Sequence, residues 1–445
     1  MKYKLKYIFL FSALALLTTA VSAQIKKLSL AEALQEAAKN NRQNQIQLLE
    51  WHKTESIIAS AKTALLPQVN LQSGYTVFGE RPVLYMRDQS ANPKVSDMTY
   101  GGRFAFTSTI QAQYPINAPD AKSNIRLATI EGKIQSLEWK KTEERVAIEI
   151  AKIYITILMY QAQQKVLDQS LVRNQQAMSD ARLLFVQGRS LKTDTLHTYL
   201  SVQNLKLSLA GMQNTIQDLT AQLVQLLGFN TTTTLILTDS IIPDMILPDT
   251  SGNKNDLLST RFDIRQQGMK MELAKEHIAK VKNYNKPQIW AIASLQVQQQ
   301  SDDFRLEQFR FPRTSYAGIT LSIPIYNGNQ KRIKLKQAQT ELEQQQITML
   351  ELNQTVAREI SMLKKQLLLD HQKEMIQQEN VTVAQTSYNI TQDRYRQGLS
   401  SRLELSDAEL ALTRAKMDLI LATYSYQLTN LELLKAMGQL VFSND

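Results

Sequence analysis

The second half of this chain retells the first. Gln187-Gly188 returns 210 residues later as Gln397-Gly398, and Leu227-Gly228 returns at the same spacing as Met437-Gly438. Tyr114-Pro115-Ile116-Asn117 comes back 209 residues on, within Ile323-Pro324-Ile325-Tyr326-Asn327. Further upstream the offset grows to 220, where Leu66-Pro67-Gln68 answers Lys286-Pro287-Gln288. The extra residues of the first copy therefore lie between Pro67 and Pro115. A doubled unit of this size predicts a pseudo-symmetric wall or tube and not a short-period solenoid.

The amino terminus carries a basic stretch to Lys6, an apolar run from Ile8 to Leu17 and small residues at Val21-Ser22-Ala23. This is the pattern of a secretory signal peptide over 1–23, cut after Ala23. The apolar run falls well short of the ~20 residues that a retained membrane helix needs. The sequence has no cysteine, which excludes disulfides, thiolate metal sites and a lipid-bearing cysteine after the cut. The formal charge is +10, but bases and acids are interspersed, so nucleic acid is a poor match as partner. No later segment approaches 18 consecutive apolar residues, so any membrane crossing must use a closed β-barrel.

Most of the chain reads as helix. Ser29 to Leu66 has neither Gly nor Pro; Asp120 to Gln187 has one Gly, Gly132; Gln330 to Gln397 has neither. At ~1.5 Å per residue, the two longest runs would reach roughly 100 Å. Steps of three and four link Leu335, Ala338, Leu342, Gln345, Met349, Leu352, Val356, Ile360, Leu363 and Leu367. The same spacing joins Met417, Leu421, Tyr424, Leu428, Leu431 and Leu434 near the end of the chain. This periodicity predicts helices coiling around one another.

Four segments alternate instead with period two. They run from Val69 to Gly79, Tyr100 to Ile116, Gln288 to Gln299 and Ser315 to Ile325. Apolar side chains such as Phe106 and Ile319 alternate with Gln, Ser and Thr, as in a barrel strand facing lipid on one side and water on the other. A soluble antiparallel sheet gives the same local pattern. The polar loops at 80–99 and 300–314 read as exposed turns. Since even small barrels need about eight strands, four must be completed by further copies. Three copies, giving twelve strands, are the simplest closed solution.

The domain reading is a first repeat at 24–250 and a second at 251–445. The first holds a helix, a β-hairpin over about 68–116, a long helix over about 120–187, a helix at 191–227 and a linker at 229–256. The second holds a helix, a hairpin over about 288–326, a long helix over about 330–397 and a helix at 402–437. Tight turns at Gly188-Arg189-Ser190 and Gly398-Leu399-Ser400 separate the helices, each with a glycine suited to a left-handed cap. Ser401 and Glu404 fit a capping box.

With Phe185-Val186-Gln187-Gly188-Arg189-Ser190-Leu191-Lys192-Thr193-Asp194 and Tyr395-Arg396-Gln397-Gly398-Leu399-Ser400-Ser401-Arg402-Leu403-Glu404, the chain resembles the TolC-like outer-membrane factor family. That resemblance covers the whole chain after the signal peptide. It implies a mostly α fold with a trimeric, twelve-stranded membrane barrel continuous with a long α-helical periplasmic tunnel. It also implies an exit duct for a tripartite efflux pump, with a homotrimer, a periplasmic adaptor, an inner-membrane pump and outer-membrane lipid as partners. Gly188, Arg189, Gly398, Leu399 and Ser400 would form the adaptor-contacting tip. Glu404 and Asp407 would line the constriction, and Asp194 and Tyr395 would latch it. The family's latch arginine falls on Ser400 here, a departure from the pattern. An acidic first helical turn is also what the helix dipole alone favours.

A duct of this kind equally serves type I protein secretion, and a non-transporting periplasmic coiled-coil protein is the remaining alternative. Neither an enzyme nor a cofactor site is expected. The four histidines, His52, His197, His277 and His371, have no metal-ligand spacing, and no phosphate loop or nucleophile motif occurs.

Overall fold

A computed structural model of the chain describes residues 25–87, 94–230, 233–240, 260–303 and 310–439. The expected signal peptide lies outside the described residues, as do the tips of both predicted loops and most of the 229–256 linker. Sixteen elements are described. In chain order they begin β1 (Ile25–Leu28), α1 (Leu30–Asn40), α2 (Arg42–Thr63), β2 (Gln68–Val77), β3 (Val83–Arg87), β4 (Val95–Thr99) and β5 (Phe104–Asn117). Next come α3 (Pro119–Val186), α4 (Lys192–Leu226), β6 (Thr234–Leu237), α5 (Phe262–Lys282) and a 3-10 turn (Asn283–Asn285). The chain continues with β7 (Gln288–Ser301), β8 (Arg313–Ser322), α6 (Gln330–Arg396) and α7 (Arg402–Ala436). The 68 residues of α3 and 67 of α6 bear out the two long helices, and α4 and α7 match at 35 residues each.

The chain packs as two compact units that cut across the two repeats. One comprises 1–49, 136–266 and 349–445, the other 50–135 and 267–348.

In the second unit β2, β5, β7 and β8 form one antiparallel sheet in that order, with β2 and β8 at its free edges. The register sorts the two kinds of side chain. Leu71 pairs with Ile110, which pairs with Leu295. Tyr75 faces Phe106, and Tyr114, Ala291 and Ile319 form another such row. Cross-strand partners share a face, so these apolar residues lie together. One position along, Gln72, Thr109, Gln296 and Thr314 form a row on the opposite face, next to Asn70, Gln111 and Ser294. The apolar side is open: Leu71 is 68% exposed and Ile319 73%. Strands β3 and β4 pair as a separate hairpin inside the segment expected to be only loop. Val83, Tyr85 and Val95 give it strand character that its flanking prolines conceal.

The first unit has a core of Ala33, Ala37, Val146, Ile150, Tyr154, Ile157, Leu223 and Leu227. Beside it β1 pairs in parallel with β6. Asp239, just after β6, accepts hydrogen bonds from Tyr154 Oη at 3.0 Å and from the Leu30 amide at 2.8 Å. Burial first, then the Asp239 carboxylate, pushes the Tyr154 phenol above its usual range, so it serves as a donor.

The structure corrects two further expectations. The single helix read over Ser29 to Leu66 breaks at Asn41, whose backbone is extended. Its Oδ1 accepts from the amides of Gln43 at 2.9 Å and Asn44 at 3.0 Å, starting a new helix. The seam of α7 is also displaced. Leu421 is 43% exposed, whereas Glu409, Thr413, Thr423, Gln427 and Asn430 are buried beside Leu412, Tyr426 and Leu433. Polar residues, among them the hydrogen-bonded Glu409, Thr413 and Thr423, occupy the buried stripe, so apolar periodicity selects its neighbour. On α6 the expected seam holds: Val356 and Leu367 are buried. Among the described residues, no helix is long and apolar enough to cross a membrane.

Candidate functional site: two helical turns and their acids

Helices α3 and α6 end in the same way. Arg189 N donates to Leu184 O and Gly188 N to Phe185 O, both at 2.9 Å. Leu399 N donates to Arg394 O at 2.8 Å, and Gly398 N to Tyr395 O at 3.0 Å. This pair of bonds needs a left-handed residue, which Gly188 at φ 71° and Gly398 at φ 76° supply. The local sequence alone accounts for both reversals. Arg394 further ties the second turn through a 3.4 Å bond from Nη2 to Leu399 O.

The acids that follow repeat the correspondence. Ser190 Oγ donates to Asp194 Oδ2 at 2.7 Å, and the Leu191 amide donates to the same oxygen at 3.3 Å. In the second copy, 210 residues on, Ser400 Oγ donates to Glu404 Oε2, joined by the Ser401 amide at 3.3 Å. Ser401 Oγ accepts from the Glu404 amide at 3.2 Å, completing the capping box. The Ser400 hydroxyl and then the Ser401 amide hold the Glu404 carboxyl below the usual carboxylate range. Ser400 thus secures the acid that follows it.

The turns share a groove. Gly188, Arg189, Asp194, Tyr395, Gly398 and Ser400 all line it. Tyr395 also packs on the cluster of Tyr388, Leu405 and Leu412. Among the described residues no hydrogen bond joins Tyr395 to Asp194, whose Oδ2 accepts from its own turn. Asp407 is exposed and borders a different hollow, with Asn380, Ser387 and Arg414. Glu404 and Asp407, three residues apart, share one face of α7. Leu399 is 64% exposed at the apex of the second turn.

The sequence reading missed a buried polar cluster on the same helix. Glu409, 5% exposed, accepts from Asn174 Nδ2 at 2.7 Å, Arg173 Nε at 3.2 Å and Ser170 Oγ at 3.4 Å. These bonds tie α7 to α3. Burial raises the Glu409 carboxyl above its usual range, against the lowering pull of Arg173. Two more acids, Asp370 and Glu374 of α6, accept from Thr429 and Thr423 of α7, each at 2.8 Å. Their only sequence signal is polar residues at helical spacing on one side of α7. Among the described residues no three His, Cys, Asp or Glu side chains come together as a metal set.

Residues 254–439 match the model of the outer membrane efflux protein family. No curated protein matches the chain. Solved structures with the same fold include the CmeC outer membrane channel of Campylobacter jejuni, at TM-score 0.76 and 14% identity, covering 94% of this chain and 87% of that one. The outer membrane protein VceC of Vibrio cholerae aligns at TM-score 0.72 and 17% identity, over 92% of this chain and 96% of that one. A membrane protein of Pseudomonas aeruginosa aligns at TM-score 0.75 and 16% identity, over 92% and 93%. Residues 254–439 thus match the outer membrane efflux protein family model, within a fold that the chain shares along nearly its whole length with these solved structures.

Proposed function

We propose that this protein is the outer-membrane exit duct of a tripartite efflux pump, a passive homotrimer opened at its periplasmic tip by an adaptor and an inner-membrane pump. One observation carries this reading: the four-stranded sheet has a mostly apolar face, interrupted by the Ser73–Ser108 pair, a Gln- and Thr-rich opposite face, and two edges, β2 and β8, that are unpaired among the described residues. Three copies joined edge to edge would close a twelve-stranded barrel, placing the apolar rows against lipid and the glutamines around water. The long helices α3 and α6 would continue into the periplasm. The turns at Gly188-Arg189 and Gly398-Leu399-Ser400 would face the adaptor, and Glu404 and Asp407 of three copies would crowd carboxylates at the constriction. The mass of the detergent-solubilised protein tests this reading. Three chains are expected in outer-membrane fractions; a stable monomer there would overturn it.

A further inference from the structure

Near the turns, between α3, α6 and α7, lies a hollow of about 370 Å³ lined by Arg173, Arg396, Arg402, Tyr388, Tyr395 and Gln392, among others. Its three guanidinium groups are not equally neutralised. Arg173 is fully engaged: it binds Glu409, lies 5.8 Å above the centre of the Tyr388 ring and reaches Thr413 Oγ1 at 3.5 Å. Among the described residues Arg396 has only an exposed, 3.8 Å pairing with Asp393, three residues back on its own helix. Arg402 has no ion pair among the described residues, and its Nε is buried with no hydrogen-bond partner.

Two carboxylates also border the hollow; Glu409 feels the charge of Arg402, but among the described residues neither acid makes an ion pair or hydrogen bond with it. Glu409 accepts from Arg173, Asn174 and Ser170 through one oxygen, Oε1. Asp180 accepts from Gln176 Nε2 at 2.9 Å. A guanidinium with a buried, unbonded N–H is a costly arrangement that calls for an acceptor. The planar N–H fork of arginine fits the two oxygens of a carboxylate or a phosphate better than it fits a single water. Arg396 and Arg402 flank the same turn, one as the last residue of α6 and the other as the first of α7, so one oxyanion in this hollow would have donors from both helices.

We propose that the Arg402 hollow is a binding site for a compact oxyanion, of carboxylate or phosphate type, which joins the end of α6 to the start of α7. The proposal does not depend on the chain being a duct.

The test uses the full-length purified protein in detergent, with thermal unfolding and isothermal titration read against inorganic phosphate, acetate and chloride at matched ionic strength. Phosphate, and acetate more weakly, should raise the melting temperature in a saturable way that chloride does not reproduce. Arg402→Gln should weaken the phosphate affinity at least tenfold, Arg402→Lys should retain a part of it, and Arg182→Gln, an exposed control of equal charge change, should leave it intact. Equal phosphate responses in the wild type and both Arg402 variants would overturn the proposal. So would the lack of any response beyond that of chloride. If Arg402→Gln instead lowers the oligomeric mass while phosphate has no effect, a neighbouring copy's carboxylate fills the site, and the free-anion proposal fails.

Discussion

Asn41 and Arg261 do the same work in the two repeats. Asn41 Nδ2 donates at 2.7 Å to the carbonyl of Leu226, and Arg261 Nη1 donates at 2.7 Å to that of Ala436. Those carbonyls belong to the last residues of α4 and α7, exactly 210 positions apart, and each would otherwise be an orphan acceptor at a helix end. The two donors differ in chemistry. Asn41 also starts α2, while Arg261 is held by Asp263 at 2.7 Å and Glu359 at 3.5 Å. Duplication has preserved the bond while the side chain that makes it has changed.

Asn41→Ala should therefore destabilise the protein by about 1–3 kcal/mol, combining loss of a helix start with an unsatisfied carbonyl. Arg261→Ala should cost at least as much, since it also strands Asp263. Thermal unfolding followed by helical circular dichroism measures both. A change within 0.5 kcal/mol, in the range of ordinary surface substitutions, would show that these bonds do not hold the helix ends.

The four glycines that end helices divide by surroundings. A Cβ on Gly188 or Gly398 meets nothing within 4 Å, whereas on Gly228 it would stand 2.2 Å from Asn40 O, and on Gly438 2.5 Å from Thr260 Oγ1. All four have positive φ, so alanine costs about 1–2 kcal/mol of backbone strain at each. Gly228→Ala should be clearly the worse, because backbone cannot retreat as a flexible side chain could. A melting temperature for Gly188→Ala as low as that for Gly228→Ala would contradict this ordering.

Much of this could be read in the sequence, and the gaps have identifiable causes. The long helices, their glycine turns and the four sheet strands announce themselves through length, composition and period-two alternation. The break at Asn41 does not, because neither Gly nor Pro marks it; the cap is an asparagine within Asn40-Asn41-Arg42. The pairing of β1 with β6 is equally hidden, since four-residue strands some two hundred positions apart carry little pattern. On α7, hydrophobicity points to Leu421 and Leu428, while the buried stripe runs through Glu409, Thr423, Gln427 and Asn430. The acids Asp194 and Glu404 are legible as members of the turns, and Ser401 from its capping-box spacing, but the partners Ser190 and Ser400 emerge only from the geometry.

Glu409 gives the pH dependence a definite sign. Its carboxyl pKa lies above the 4.5 of an unperturbed glutamate, because burial outweighs Arg173. The folded state thus holds its proton more tightly than the unfolded chain. The stability that this linkage contributes is fully present below pH 4.5 and is lost as pH rises through the folded value. Glu409→Gln cannot take up that proton. The melting temperature of the wild type minus that of the variant should therefore increase as pH is lowered from 7 towards 4.5. A difference that is flat or falls over that range would show that the carboxyl is not raised by burial.

The last prediction concerns conduction and rests on the proposed trimer. Glu404 is exposed in the single chain, and its carboxyl lies below the usual range because Ser400 and Ser401 donate to it; Asp407 shares its face of the helix. Three copies would bring six carboxylates to one narrow point, where a multivalent cation meets several of them at once. Replacing both residues by alanine should abolish block by such cations applied to the periplasmic side of a planar bilayer. The oligomer should persist, since a charge in an exposed first turn contributes only about 0.3–1 kcal/mol through the helix dipole. Ser400→Ala supplies a graded case: without its hydroxyl the Glu404 carboxyl moves up towards its usual range, and block should begin to fade at a higher pH than in the wild type. Unchanged cation block in the double variant would place the constriction elsewhere on the helices.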